Sequence, residues 1–100
     1  MTVWDRILVR YILDGKRAVL CPDLKTWTKS FDDRHVARSG SKGVEVSTIF
    51  LGIDHSFGSG PPLLFETMVF GGEHDGHQER CSTWEEAEAM HKRIAAWVGV

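Results

Sequence analysis

The stretch from Val44 to Gly72, VEVSTIFLGIDHSFGSGPPLLFETMVFGG, constrains this chain more than any other. Two apolar runs flank a loop rich in glycine and proline that opens on Asp54-His55. In the first run Val44, Val46 and Thr48 alternate with Glu45 and Ser47, which is a strand with one wet face. From Ile49 to Ile53 both faces are apolar, so this end needs cover on each side or a partner. The returning run, Leu63 to Phe70, sets Leu64, Glu66, Met68 and Phe70 on one face and Leu63, Phe65, Thr67 and Val69 on the other. Glu66 therefore interrupts an apolar row, and it is the most conspicuous polar residue of the expected core.

The remaining segments read as edges and covers for this pair. Tyr11 to Leu13 and Ala18 to Leu20, separated by Asp14-Gly15, form a hairpin signal, because both turn residues tolerate positive φ. After Pro22-Asp23 a short helix places Leu24, Trp27, Thr28 and Phe31 on one face and gives out near Asp32-Asp33. His35 to Arg38 is a strand, and residues 39–43 are a turn. Gly71-Gly72 and Asp75-Gly76 reverse the chain before an edge strand from His77 to Ser82. Thr83 with Glu86 predicts a capping box for a last helix whose inward stripe is Trp84, Ala87, Met90, Ile94 and Trp97. His91 falls at the border of that stripe, and Glu88 with Lys92 makes an i,i+4 pair on the solvent side. Residues 2–9 fit either a helix or a strand. The expected architecture is α+β, an antiparallel sheet of about six strands with two helices packed mainly on one face, in a single domain over 1–100.

Composition narrows the classes of function. A hydrophobic share of 42% and a charged share of 26% belong to an ordinary globular domain. A net charge of -2 argues against broad nucleic-acid binding by phosphate neutralisation. No apolar run reaches the roughly 20 residues of a membrane helix, and the charged MTVWDRILVRY is no secretory signal. Cys21 and Cys81 lie far apart without a CxxC, as two reduced thiols of a cytoplasmic protein.

The loop from Asp54 to Pro62 is longer than the usual hairpin connection of about 2–5 residues, and such loops carry binding groups. Asp54, His55, Ser56, Gly58 and Gly60 are the candidate ligand-binding residues there, with glycine backbone to offer N–H groups to an anion. The competing reading is a hairpin end capped by Asp54 and stiffened by Pro61 and Pro62. At ~3.3 Å per residue Glu66 lies about 10 Å inside the loop mouth, too far to couple with Asp54 as acid and base. Arg34 or Arg38 is its expected ion-pair partner and would also bring charge to the site. The turn Glu73-His74-Asp75-Gly76-His77 lacks the ligand set of a zinc site, so neither metal nor cofactor is expected. No serine stands in a nucleophile elbow, and no catalytic residue is assigned; an enzyme would have to be built from positions that only folding brings together.

The segment VSTIFLGIDHSFGSGPPLLFETMVFGG, with RYILDGK and DLKTW before it and RCSTWEEAEAMH after it, resembles a family of small accessory proteins of tailed phages and prophages. The likeness runs from Arg10 to His91 and rests on Asp54-His55 and on Phe65 to Gly72. The EHDGH turn and the leading MTVWDRILV depart from the family pattern. The resemblance implies a phage-encoded protein acting in the bacterial cytoplasm, and it carries no named activity. Small proteins of this kind commonly act by binding. The expectation is therefore a host-defence antagonist that captures a host protein or a small anionic ligand, with self-association as a homodimer and no membrane partner. The alternatives are a small hydrolase using Glu66 or His55 as acid/base, and a minor virion or assembly component.

Overall fold

The computed structural model describes residues 9–21, 23–56 and 60–100. The helix-or-strand question at 2–9 thus lies outside the described residues except for Val9.

The chain is α+β, and the described residues form six antiparallel strands and two α-helices. The strands divide between two sheets. β1 (Tyr11–Asp14) and β2 (Arg17–Leu20) form a hairpin, while β3 (His35–Ser41), β4 (Val44–Phe50), β5 (Phe65–Phe70) and β6 (Gln78–Cys81) form a four-stranded sheet in sequence order. A short helix α1 (Leu24–Lys29) continues into a 3-10 turn, Ser30–Asp32, and α2 (Trp84–Val98) closes the chain.

Turn chemistry sets the registers. Asp14 pairs with Arg17, so the tight turn is Gly15-Lys16, one residue later than Asp14-Gly15, and Gly15 takes the positive φ. β3 runs on to Ser41 and turns at Lys42-Gly43, both with positive φ, the geometry whose twist suits a two-residue hairpin. β4 ends at Phe50 rather than Ile53; beyond it Gly52 adopts φ +77 and accepts the Tyr11 N–H at 2.8 Å and the Trp27 indole N–H at 3.1 Å. A Cβ at Gly52 would stand 3.1 Å from that indole nitrogen, so glycine is what lets the hairpin and α1 dock here. The docking is extended by an isolated bridge between Arg10 and Ile53.

The core lies between one face of the four-stranded sheet and α2. Val46 and Val69 meet Met90, Ile94 and Ala95, and beside them Phe50, Leu64 and Phe65 meet Ala87. Tyr11, Leu13 and Ala18 of the hairpin cover the second group together with Trp84. Removing the Ile94 side chain to Ala would cost about 2–5 kcal/mol, the range for a fully buried aliphatic. Three expectations about α2 need correction. Trp97 is 51% exposed, stacking on His74 instead of entering the core, and His91 is 5% exposed. A helix turns by 3.6 residues, and the stripe that faces the sheet is Ala87, Met90, His91, Ile94, Ala95. Glu88 engages Lys16 at 3.9 Å and the Trp84 indole, not Lys92.

A polar line crosses this interface. His91 Nδ1 lies 2.8 Å from Thr48 Oγ1, His91 Nε2 lies 2.8 Å from Ser39 Oγ, and Thr48 Oγ1 bonds Thr67 Oγ1. Each buried hydroxyl and ring nitrogen is thereby satisfied. Burial lowers the pKa of His91 below 6.5, so the ring is neutral at pH 7.

The opposite sheet face carries Arg38, Glu45, Glu66, Met68 and Phe70, and no described element covers it. The side chain of Glu66 is 13% exposed and pairs with Arg80 of β6 at 3.0 Å. The expected partners Arg34 and Arg38 are engaged elsewhere, because register places Arg80 directly across from Glu66.

A cleft beside the second helix as candidate functional site

Three segments distant in sequence converge on one cleft of about 600 Å3. The hairpin supplies Tyr11, Asp14, Lys16, Arg17 and Ala18, the returning limb of the β4–β5 loop supplies Pro61 and Pro62, and α2 supplies its first turn. The buried side chains Leu64 and Phe65 form its floor with the half-buried Tyr11 and Trp84. A second cavity of about 340 Å3 lies beyond the hairpin, and Trp84 lines both.

The mouth is charged. Lys16 stands 5.9 Å above the Trp84 ring and 3.9 Å from Glu88. Arg17, which lines the same cleft, makes no ion pair among the described residues. Asp14 and Glu85 stand on the same rim. At the start of α2 the capping box occupies the N–H groups of Ser82, Thr83 and Glu86, and the Glu86 carboxylate stands among them. Thr83 Oγ1 accepts from Glu86 N at 3.1 Å, and Glu86 Oε1 accepts from Thr83 N at 3.0 Å and Ser82 N at 3.2 Å. The cationic side chains of the lining, Lys16 and Arg17, both come from the hairpin tip. Nucleophiles are scarce. Cys81, behind the floor, has its thiol pushed up to about 11, first by burial and then by Glu86, and is inert near neutral pH.

The residues expected to form a site divide into two groups. Asp54, His55, Ser56 and Gly60 stay together in the loop, and Gly58 lies outside the described residues. Asp54 serves the loop itself: Oδ1 accepts from Ser56 N at 2.8 Å and Leu63 N at 2.9 Å, and Oδ2 accepts from Ser56 Oγ at 2.9 Å. Backbone pairing of His55 N with Leu63 O at 3.1 Å closes the same loop. Arg34 donates to the carbonyls of Phe50 and Leu51 at 2.9 and 3.1 Å, lies over Phe31, and is lowered in pKa by burial. Arg38 and Glu66 stand apart on the open sheet face, Arg38 with Glu45 at 3.2 Å. What this loop contributes to the cleft is its proline limb.

Lys16, Arg17 and Trp84, which define the cleft, carry no local motif; a basic hairpin tip and an aromatic at a helix start were the only traces. Among the described residues, no cluster of three or more His, Cys, Asp or Glu could hold a metal ion, and no helix is long and apolar enough to cross a membrane. No protein family, curated protein or solved structure compared with this chain matches it.

Proposed function

We propose that this protein is a small accessory binding protein of the kind carried by tailed phages and prophages, which captures a small anionic ligand and so antagonises a host defence in the bacterial cytoplasm. The cleft carries the reading. Its volume of about 600 Å3 falls in the usual range for small-molecule sites, roughly 300–1,000 Å3, and it joins an aromatic floor to a guanidinium, that of Arg17, with no ion-pair partner among the described residues. A ligand with a flat apolar part and one anionic group fits Tyr11 and Trp84 below and Arg17 above. Binding rather than turnover is favoured because the lining contains no histidine or cysteine and Thr83 is committed to the helix cap.

Native mass spectrometry of protein purified from bacteria without denaturing steps tests this. A discrete extra mass is expected, lost in Arg17→Ala and in Trp84→Ala but retained in Asp54→Asn. A bare wild-type protein that also fails to bind a panel of aromatic carboxylates and nucleoside monophosphates by calorimetry would overturn it.

One observation favours a second reading, in which the partner is a protein. Phe70, 49% exposed, stands beside Met68 on the sheet face that no described element covers, an apolar stretch suited to a host protein or to a second copy of this chain. The hydrolase reading loses support, because Glu66 is paired with Arg80 at 3.0 Å and His55 lies in the β4–β5 loop, where its backbone closes on Leu63.

A further inference from the structure

The polar line through the core has a chemistry that ligand capture does not use. Four elements contribute one side chain each: Ser39 from β3, Thr48 from β4, Thr67 from β5 and His91 from α2. A hydroxyl 2.8 Å from one imidazole nitrogen, with the other nitrogen held at 2.8 Å by a third group, is the arrangement by which serine nucleophiles are activated. Accessibility differs along the line in the useful direction. Ser39 is only half-buried, on the outermost strand of the sheet, whereas His91 is 5% exposed.

We propose that Ser39 is a nucleophile that accepts an acyl group from a small activated acyl donor, with His91 as its base and Thr48 as the positioning residue. The assignment is independent of the cleft and shares no residue with it. In the step, Ser39 Oγ bonds to the carbonyl carbon while the bond from that carbon to the leaving oxygen breaks. The Ser39 proton passes to His91 Nε2, and the leaving group departs with the bonding electron pair as an anion. His91 must then carry its other proton on Nδ1, donated to Thr48 Oγ1, with the Thr48 hydroxyl turned to Thr67.

A threonine in the place of a carboxylate has a consequence. It fixes the tautomer but supplies no counter-charge to the imidazolium. The other strands do not supply one either. β3, β4 and β5 present only hydroxyls to His91, since Arg38, Glu45 and Glu66 lie on the other sheet face. Glu79 of β6 is taken by Arg93 and His77, and on α2 itself Glu88 holds Lys16 while Lys92 is exposed. Deacylation, which needs the same base again, is correspondingly slow, and the acyl group stays on the protein.

p-Nitrophenyl acetate is the probe. The expected result is a burst of about one nitrophenolate per chain, with acetyl mapped to Ser39 by tandem mass spectrometry. Ser41, exposed in the same strand without a histidine, is the internal control and stays unmodified. His91→Gln keeps a hydrogen-bonding side chain between Ser39 and Thr48 but no base, and is expected to slow acetylation by about 10²-fold or more. Thr48→Val, checked by its thermal melt to be folded, is expected to slow it about tenfold and to alter the pH profile, which in the wild type inflects below the ordinary histidine value. Ser39 left unmodified, Ser41 acetylated equally, or His91→Gln reacting at the wild-type rate would each overturn the assignment.

Discussion

The carboxylate of Asp54 accepts the backbone N–H of Leu63 at 2.9 Å and thereby ties the two limbs of the β4–β5 loop together. The same oxygen takes Ser56 N, and its neighbour takes Ser56 Oγ. Asp54→Ala leaves these donors without partners and is expected to cost about 1–3 kcal/mol, whereas Asp54→Asn keeps the accepting oxygen and should cost under about 1 kcal/mol. Burial raises the Asp54 pKa, but the bonds from Ser56 and Leu63 and the charge of His55 more than offset it, and the net result is a pKa below 3.8. A depressed carboxylate stabilises the fold above its unfolded value and loses that contribution as pH falls. Urea melts at pH 7 and pH 3 should thus bring wild type and Asp54→Asn closer at the lower pH. An Asp54→Ala protein as stable as wild type at pH 7 would contradict the capping role.

Glu79 gives a second pH signature. Hydrogen bonds from Arg93 and His77 hold its carboxyl at about 2, against an ordinary 4.5. Its contribution is present above 4.5 and disappears as pH falls toward 2. The carboxylate is partly solvated, so screening keeps the contribution under about 1 kcal/mol. Glu79→Gln should be slightly less stable than wild type at pH 7 and indistinguishable from it near pH 2. A carboxyl-detected NMR titration of Glu79 with a midpoint near 4.5 would contradict the pairing.

Gly71 and Gly15 separate space from conformation. Both have positive φ, +85 and +64. A Cβ on Gly71 would run into the carbonyl oxygen of Gly43 across the sheet end, whereas one on Gly15 meets nothing within 4 Å. Gly15→Ala should cost only the left-handed penalty, about 1–2 kcal/mol. Gly71→Ala adds a backbone collision and should cost about 3 kcal/mol or more. Equal melting shifts for the two variants would show that the β3–β4 turn moves aside.

These cases also show where a sequence is legible. The Thr83–Glu86 capping box and the Gly15 hairpin were readable because every atom involved belongs to residues within one turn of each other. The bonds of Asp54 to Ser56 were readable for the same reason, as a local cap, whereas its bond to Leu63 spans the loop. Arg80 as partner of Glu66 was not, since it follows from strand register. Trp97 and His91 exchanged places relative to the expected stripe because an apolar count cannot see that Ser39, Thr48 and Thr67 wait opposite the histidine. The cleft was the least legible feature. It needs residues near positions 11–18, 61–65 and 82–85 together, and only the fold makes them neighbours.

The line from Ser39 to Thr67 predicts an acid sensitivity located in one side chain. Burial lowers the His91 pKa below 6.5, so below that pH the unfolded chain binds a proton that the folded chain resists. Stability is therefore full above pH 6.5 and declines as pH falls. Carboxylates titrate mainly below about 4.5, which leaves roughly pH 5 to 6.5 as a window dominated by histidines. His91→Gln retains hydrogen bonding to Thr48 and Ser39 but cannot charge. It is expected to be less stable than wild type at pH 7.5, by about 1–2 kcal/mol, with a shallower loss between pH 6.5 and 5. Urea midpoints measured for both proteins across that window decide it. Parallel curves would mean that His91 accepts its proton at no cost, and that the hydroxyls of Ser39 and Thr48 can solvate a buried imidazolium.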